Sequence, residues 1–484
     1  MTMNDNSSID RRTFLQLGVI GGVGLAMPTA ALTLADTGFP KTAEPFPLEA
    51  VRLKPSPYLD AVKANLAYLH RIEPDRLLHN FRVHAGLQPK GKVYGGWESD
   101  SIAGHTLGHY LTACSLIHAQ TGDAEAKRRV DYIVKELAEC QSKAPDGYVA
   151  GFTRRKGKEF ENGRVIFDEI KAGDIRSAGF DLNGSWVPFY TWHKLFAGLL
   201  DADRYCGNKQ AIDIAVKLAG FIDGVFAKLN DEQVEKMLNC EHGGINESMA
   251  ELYVRTNDKR WLALAERIRH KRTLGPMFEQ RDALPGLHAN TQIPKVTGLA
   301  RLFEITNKPE YRTAANFFWT NVTTNYSYVI GGNSDREYFQ QPNTISKYIT
   351  EQTCESCNTY NMLKLTRHLF AWSLSSHFFD YYERAHINHM LAHQNPRTGM
   401  FAYMIPLMSG TARSFSSEFN DFWCCVGSGM ESHSKHGESI YWKNGRIKFE
   451  IGVAKGKKLY DKRESAMRKT VEKETRQQLK ERLR

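Results

Sequence analysis

A joint that recurs between helices restricts the fold more than any other feature of this chain. Gln120-Thr121-Gly122-Asp123, Arg255-Thr256-Asn257-Asp258 and Ile305-Thr306-Asn307-Lys308 each close one apolar helical run and open another with turn and cap residues. The last two lie 50 residues apart, the length of a two-helix unit. Units of that size stack into a solenoid or close into a ring of inner and outer helices. Apolar residues at helix spacing predict helices over Tyr58–Ile72, Gly104–Ala119, Ala124–Cys140, Phe189–Tyr205, Gln210–Ala227 and Ile245–Arg255. The same spacing continues over Asp258–His270, Asn290–Ile305, Glu310–Thr323, Glu355–Trp372 and Phe379–His393. Longer polar loops, Gly151–Gly184 and Gly331–Thr350, would build a cleft if gathered at one end. The expected fold class is all-α, a closed toroid of helical hairpins.

The ends of the chain differ from this body. Asp10-Arg11-Arg12-Thr13-Phe14-Leu15, a short glycine-rich apolar run and the small residues near Thr33-Leu34-Ala35 resemble a bacterial twin-arginine signal over residues 1–36. That predicts export to the periplasm or beyond, and no membrane association once the signal is removed. Export in the folded state suits a protein that must load a metal onto thiolates before it meets an oxidising compartment. At the other end, residues 455–484 carry twelve Lys/Arg against five Asp/Glu, so most of the formal charge of +10 belongs to the tail. Arg446–Ile451 reads as a strand, and a charged helical run follows to Arg484. The expected domains are therefore 1–36, 37–442 and 443–484.

Vicinal cysteines dominate the chemistry. Cys424 and Cys425 are poorly placed to bond each other, so they ask for a metal or a reactive role. Upstream lie Cys354, Glu355 and Cys357, at the expected start of a helix. Thiolates and a carboxylate are natural zinc ligands, so Glu355, Cys357, Cys424 and Cys425 form a candidate four-ligand set, with Cys354 an alternative member. The isolated cysteines Cys114, Cys140, Cys206 and Cys240 read as small buried apolar groups. Asp335-Arg336-Glu337 is an acidic loop; a carboxyl tuned by its site can protonate a leaving oxygen, as glycosidases require, but a lone Glu in a loop is more often simply solvated. His105, His109, His193 and His288 stand among glycines and aromatics, as in sugar-binding clefts.

Several of these stretches, in order, resemble the β-L-arabinofuranosidases of glycoside hydrolase family 127 and its relatives. They are Gly95–Tyr110, Gly243–Glu247, Gly286–Asn290, Glu355–Met362, Tyr381–Ala385 and Cys424–Gly427, within about 44–442. The resemblance implies an (α/α)6 barrel, here truncated before the family's C-terminal β-sandwich domains. It implies zinc held by Glu355, Cys357, Cys424 and Cys425, with Cys424 as nucleophile and Glu337 as general acid/base. It further implies sugar contacts from His193, His288, Glu383 and one of His105 and His109. The implied reaction is retaining hydrolysis of an arabinose-containing oligosaccharide or glycan. The stretch 447–484 resembles instead the C-terminus of the SsrA-binding protein, which binds tmRNA. An exported barrel would not meet a ribosome, so nucleic acid is not an expected partner. Two rival readings are a carbohydrate-binding barrel without turnover and an RNA-binding factor acting through the tail.

Overall fold

The computed structural model describes residues 41–444. The expected export signal, the strand at Arg446–Ile451 and the basic helical run lie outside the described residues. Among the described residues, twelve helices alternate along the chain between an outer and an inner layer. The outer ones are α1 (Pro57–Arg71), α3 (Ala124–Gln141), α5 (Lys209–Phe226), α7 (Lys259–Arg267), α9 (Pro309–Asn325) and α11 (Ser376–Ala385). The inner ones are α2 (His105–Thr121), α4 (Pro188–Cys206), α6 (Ile245–Thr256), α8 (Ala289–Thr306), α10 (Ser356–Ser373) and α12 (Cys424–Ser432). Each inner helix packs on the next, and α12 returns to α2, which closes the ring. The fold is the all-α toroid expected from the repeated joints.

The physical basis of those joints is now visible. Thr121, Thr256 and Thr306 each turn a hydroxyl back to the carbonyl four residues earlier, at 2.6, 2.8 and 2.7 Å. The same hydroxyl then accepts the backbone N–H two residues later, at 3.2, 3.3 and 3.3 Å. Between them, Gly122, Asn257 and Asn307 take the left-handed conformation (φ 80°, 55° and 55°) that ends the inner helix. Three inner helices thus reverse into outer ones by one device.

Inner helices are enclosed on all sides, so they carry little amphipathic pattern; nearly every residue of α2 is buried. The closest approach in the ring is between α2 and α4, through a pair of glycines. A Cβ on Gly108 would lie 2.2 Å from the Lys194 carbonyl carbon, and one on Gly198 would lie 2.6 Å from the Gly108 oxygen. Gly108→Ala must therefore push the α2 and α4 backbones apart. We expect it to lower unfolding stability by about 2–3 kcal/mol, read by chemical denaturation. An unchanged midpoint would mean the ring is looser than described.

Seven short strands, among the described residues, decorate the ends of the ring: β1 (Glu44–Pro45), β2 (Thr153–Lys156), β3 (Glu159–Asn162), β4 (Ser177–Ala178), β5 (Asp181–Leu182), β6 (Ser185–Trp186) and β7 (Trp442–Lys443). The expected loop 151–184 is where β2–β5 form hairpins. Two boundaries differ from expectation. The run expected over Phe379–His393 stops being α-helical at Ala385 and continues as a π turn and a 3-10 turn. The run expected over Asp258–His270 is shorter, because Asp258 is its cap, accepting the Arg260 N–H at 3.0 Å. The sequence reading also missed α12 altogether. Among the described residues no helix is long and apolar enough to cross a membrane.

Candidate active site

All six inner helices point their N-terminal ends toward a cavity of about 690 Å³, lined among others by Trp97, His109, Tyr190, His193, Glu337 and Cys424. The first turn of a helix presents unpaired N–H groups and a partial positive charge, so anionic groups are stabilised there. The sequence places its anions accordingly. Cys424 and Cys425 are the first two residues of α12, Glu355 is the N-cap of α10, and Cys357 is its second residue.

These four side chains converge, with their ligand atoms all within 4.8 Å of one another. Cys357 Sγ lies 3.3 Å from Cys425 Sγ, and Cys424 Sγ lies 4.0 Å from Cys425 Sγ. Glu355 Oε1 is 3.8 Å from Cys424 Sγ and 3.9 Å from Cys425 Sγ. None of the cysteines is in a disulfide. Burial pushes the Cys357 and Cys425 thiols up, and burial with the charge of Cys424 pushes the Glu355 carboxyl well up. Cys424 goes the other way: hydrogen bonds from Cys357 and Cys425 outweigh its burial and hold it well below the usual thiol range. Glu355 Oε2 is buried and has no hydrogen-bond partner. Four acids in one dry volume, one with an orphaned oxygen, are a cluster that could hold a metal ion.

Glu337 borders this cluster: one of its carboxylate oxygens, one of Glu355 and a His288 ring nitrogen all lie within 4.8 Å of one another. Glu337 sits in a left-handed turn (φ 72°) next to Arg336 at φ 47°, a costly conformation for both residues. The loop is pinned there because the Ala289 N–H donates to Glu337 O at 2.7 Å and the Phe339 N–H to Leu287 O at 3.0 Å. His288 Nε2 lies 3.7 Å from Glu337 Oε2, and the Tyr403 hydroxyl donates to Glu337 Oε1. Burial raises the Glu337 carboxyl, but the bonds from His288 and Tyr403 prevail and leave it below the ordinary range. The same Tyr403 hydroxyl stands 3.9 Å from Cys424 Sγ, so one side chain touches both Glu337 and the cysteine.

The histidines divide. His193 and His288 line the cavity. His109 lines it too, with its orientation fixed: Nδ1 donates to the buried Glu431 carboxylate at 2.5 Å, which leaves Nε2 to accept the Tyr190 hydroxyl at 3.1 Å. His105 does not reach the cavity. Its ring is buried behind Trp97 and Tyr190, so of the two it is His109 that is placed to contact a ligand. Glu383 is a correction. It is exposed on outer helix α11, beside Tyr58, and is not among the residues lining the cavity. Cys354 packs with Tyr328, Ala402 and Ile405, outside the ligand cluster. Sequence reasoning missed Tyr403, Tyr190 and Glu431. Only the helix-like i to i+7 step from Cys424 to Glu431 could have pointed to the last of them.

The sequence family described as "Beta-L-arabinofuranosidase, GH127 catalytic domain" matches residues 50–438. The chain belongs to the GH127 family. A solved family 127 β-arabinofuranosidase superposes with a TM-score of 0.64 at 19% identity, covering 84% of this chain and 63% of that one. A GH127 β-L-arabinofuranosidase from Geobacillus stearothermophilus T6 gives 0.61 at 18% identity, covering 80% of this chain and 65% of that one. This GH127 chain therefore spans under two thirds of the length of those proteins. Its tail matches a second family, the SmpB protein, over residues 436–481. There it is 52% identical over 46 residues to an SsrA-binding protein of Clostridium kluyveri, covering 10% of this chain and 29% of that protein. For the SsrA-binding protein of Caldicellulosiruptor bescii the identity is 58% over 45 residues, covering 9% and 28%.

Proposed function

We propose that the protein is a retaining glycoside hydrolase that releases β-linked L-arabinofuranose, with Cys424 as nucleophile and Glu337 as acid/base. The observation that carries this reading is the shared contact of Tyr403 with both Cys424 and Glu337 in one cavity. In the first step Cys424 Sγ attacks the anomeric carbon, the glycosidic C–O bond breaks, and Glu337 gives its proton to the leaving oxygen. In the second step Glu337 takes a proton from water, whose oxygen displaces sulfur and frees the sugar. The charges of Glu337 and a Cys424 thiolate disfavour each other, and the first step needs Cys424 to attack while the proton is on Glu337. The hydrogen bonds from His288 and Tyr403 favour its ionised form once that thiolate is consumed, which suits the second step.

Zinc is the metal we assign to the cluster. A tetrahedral ion with arms of about 2.3 Å to sulfur needs ligand atoms about 3.8 Å apart. Four of the six separations run from 3.3 to 4.0 Å and all six lie within 4.8 Å, and the orphaned Glu355 oxygen and buried thiols suit a cation between them. When bound, zinc would hold the coordinating thiols deprotonated. Purified protein is expected to contain about one zinc per chain. Its removal by a chelator should abolish activity and lower the denaturation midpoint, because ligand binding to the native state contributes about 2.7 kcal/mol at a hundredfold excess over Kd. Full activity in metal-free protein would remove zinc from the account.

The test of function is hydrolysis of an aryl β-L-arabinofuranoside with the configuration of the first-formed sugar read by NMR. Retained configuration supports the reading. Binding of arabinose oligomers without product selects the non-catalytic barrel. We also propose export through Arg11-Arg12, tested by the compartment in which a reporter fused to residues 1–36 accumulates. The tail's likeness to SsrA-binding proteins keeps RNA among the ligands to assay; steep salt-dependent tmRNA binding would establish it.

A further inference from the structure

We infer that Glu431 is a positioning residue that fixes the hydrogen-bond polarity of one cavity wall: through His109 it leaves Tyr190 able only to accept, so the bound sugar must place a donating hydroxyl there. This rests on the glycosidase reading and adds what the cavity demands of the attacked ring.

The device is built on one face of α12. Positions 424, 427, 428 and 431 recur at i, i+3, i+4 and i+7, so they share a side of the helix. Cys424 belongs to the thiol cluster, and Ser428 reaches it through a 3.1 Å contact between its hydroxyl and Cys357 Sγ. Gly427 makes room for the His109 ring, which a Cβ there would meet at 2.3 Å. Glu431 accepts from His109 Nδ1 at 2.5 Å. His109 is thus set in register by the helix that carries Cys424, and its ring cannot turn over without losing the carboxylate. Glu431 itself is not among the residues lining the cavity.

The polarity follows from counting protons. Glu431 is buried, with Oε1 facing His109 Nδ1 and Oε2 accepting the Tyr360 hydroxyl. Burial raises its carboxyl, but pairing with His109, then the Lys194 charge and the Tyr360 bond, outweigh that and hold it well below the usual carboxylate range. Burial and the same Lys194 charge keep the His109 ring below the ordinary imidazole range, so the ring is neutral and its one proton stays on Nδ1, against the carboxylate. Nε2 then holds only a lone pair, and the Tyr190 hydroxyl, 3.1 Å away, donates to it. A phenol has a single proton. With that proton committed, the Tyr190 oxygen offers lone pairs alone, and Nε2 offers the same to any ligand that displaces Tyr190. Both residues line the cavity, and Tyr190 packs against Cys357, Cys424 and Cys425. A hydroxyl of the attacked ring can donate to this wall. A fluorine in its place leaves acceptor facing acceptor.

The test is calorimetric titration in a Glu337→Gln background, which removes the acid/base and so suppresses turnover. The probes are methyl β-L-arabinofuranoside and the analogues in which each free hydroxyl in turn is replaced by fluorine. At one position the fluoro analogue should bind about tenfold more weakly or worse. Adding Glu431→Gln should cut that margin to about twofold and leave the margins at the other positions unchanged. Tyr360 goes on donating to the amide oxygen, so the amide NH2 turns to Nδ1, the ring proton moves to Nε2, and the Tyr190 hydroxyl is freed to donate. An even loss across all the ligands is what a merely structural role produces, and it overturns the inference. So does a margin that survives the substitution or is missing in the parent. The nitrogen NMR signals of the His109 ring, assigned by their loss in His109→Asn, read the same point without sugar. A protonated Nδ1 and a bare Nε2 are expected in the parent, and the reverse in Glu431→Gln; a proton on Nε2 in the parent overturns the inference even where Glu431→Gln does not fold. The expected margins in a protein that yields no product in its native form would sink the hydrolase reading and leave the wall's polarity standing. No binding of any of these glycosides defeats both.

Discussion

Replacing Cys424 with alanine is expected to lower kcat on an aryl β-L-arabinofuranoside by on the order of 10⁴-fold or more, because it removes the proposed nucleophile. The fold should survive. Cys424 contributes one small buried side chain at the start of α12. Cys140→Ala is the matched control: also a buried cysteine, but on outer helix α3 and far from the cavity. It should change stability by about 1 kcal/mol and leave turnover intact. Metal content must be read on both variants. A Cys424→Ala protein that keeps its metal and loses turnover assigns the loss to the sulfur. Turnover within tenfold of the parent would remove Cys424 from the chemistry.

The second large effect is expected from Glu337→Gln. Removing the acid/base should reduce hydrolysis of a sugar-linked substrate by about 10²–10⁴-fold. The loss should depend on the leaving group. A nitrophenolate needs little protonation, so the first step should stay fast while the second, which needs the base, becomes slow. A burst of nitrophenol followed by slow steady turnover is the expected trace. An equal loss on both substrates without a burst would place Glu337 in binding rather than proton transfer. Glutamine keeps an acceptor for the Tyr403 hydroxyl, so the loop at 335–338 should hold its place.

The ring was legible because its joints repeat chemically as well as positionally. A threonine that bonds backward, then a residue that tolerates the left-handed turn, appears three times, and each occurrence ends an inner helix. Helix α12 was not legible. It has nine residues with glycines at 427 and 429, and it is buried all round, so neither length nor periodicity marks it. Its glycines are there for contact: a Cβ on Gly427 would lie 2.3 Å from the ring of His109.

The site divides along a similar line. Paired thiols are rare enough to stand out in a sequence, and Glu355, Cys357, Cys424 and Cys425 do come together. Tyr403 and Glu431 are common residue types whose importance lies in what they touch, across 66 residues to Glu337 and 322 residues to His109. Spacing could not separate His105 from His109, since both lie on one face of α2. Trp97 decides it by covering the first. Glu383 shows the opposite case, a motif residue that stands exposed on outer helix α11 and is not among the residues lining the cavity.

If the sulfur at 424 carries the sugar between the two steps, trapping should catch it there. The Glu337→Gln protein, mixed with a nitrophenyl β-L-arabinofuranoside and quenched during the slow phase, is digested and its peptides are fragmented in a mass spectrometer. One pentosyl group is expected on the peptide containing Trp423-Cys424-Cys425, with the fragments placing it on Cys424. A sugar found on Glu355, on Cys425 or on another residue, or a burst with no covalent adduct, would contradict it.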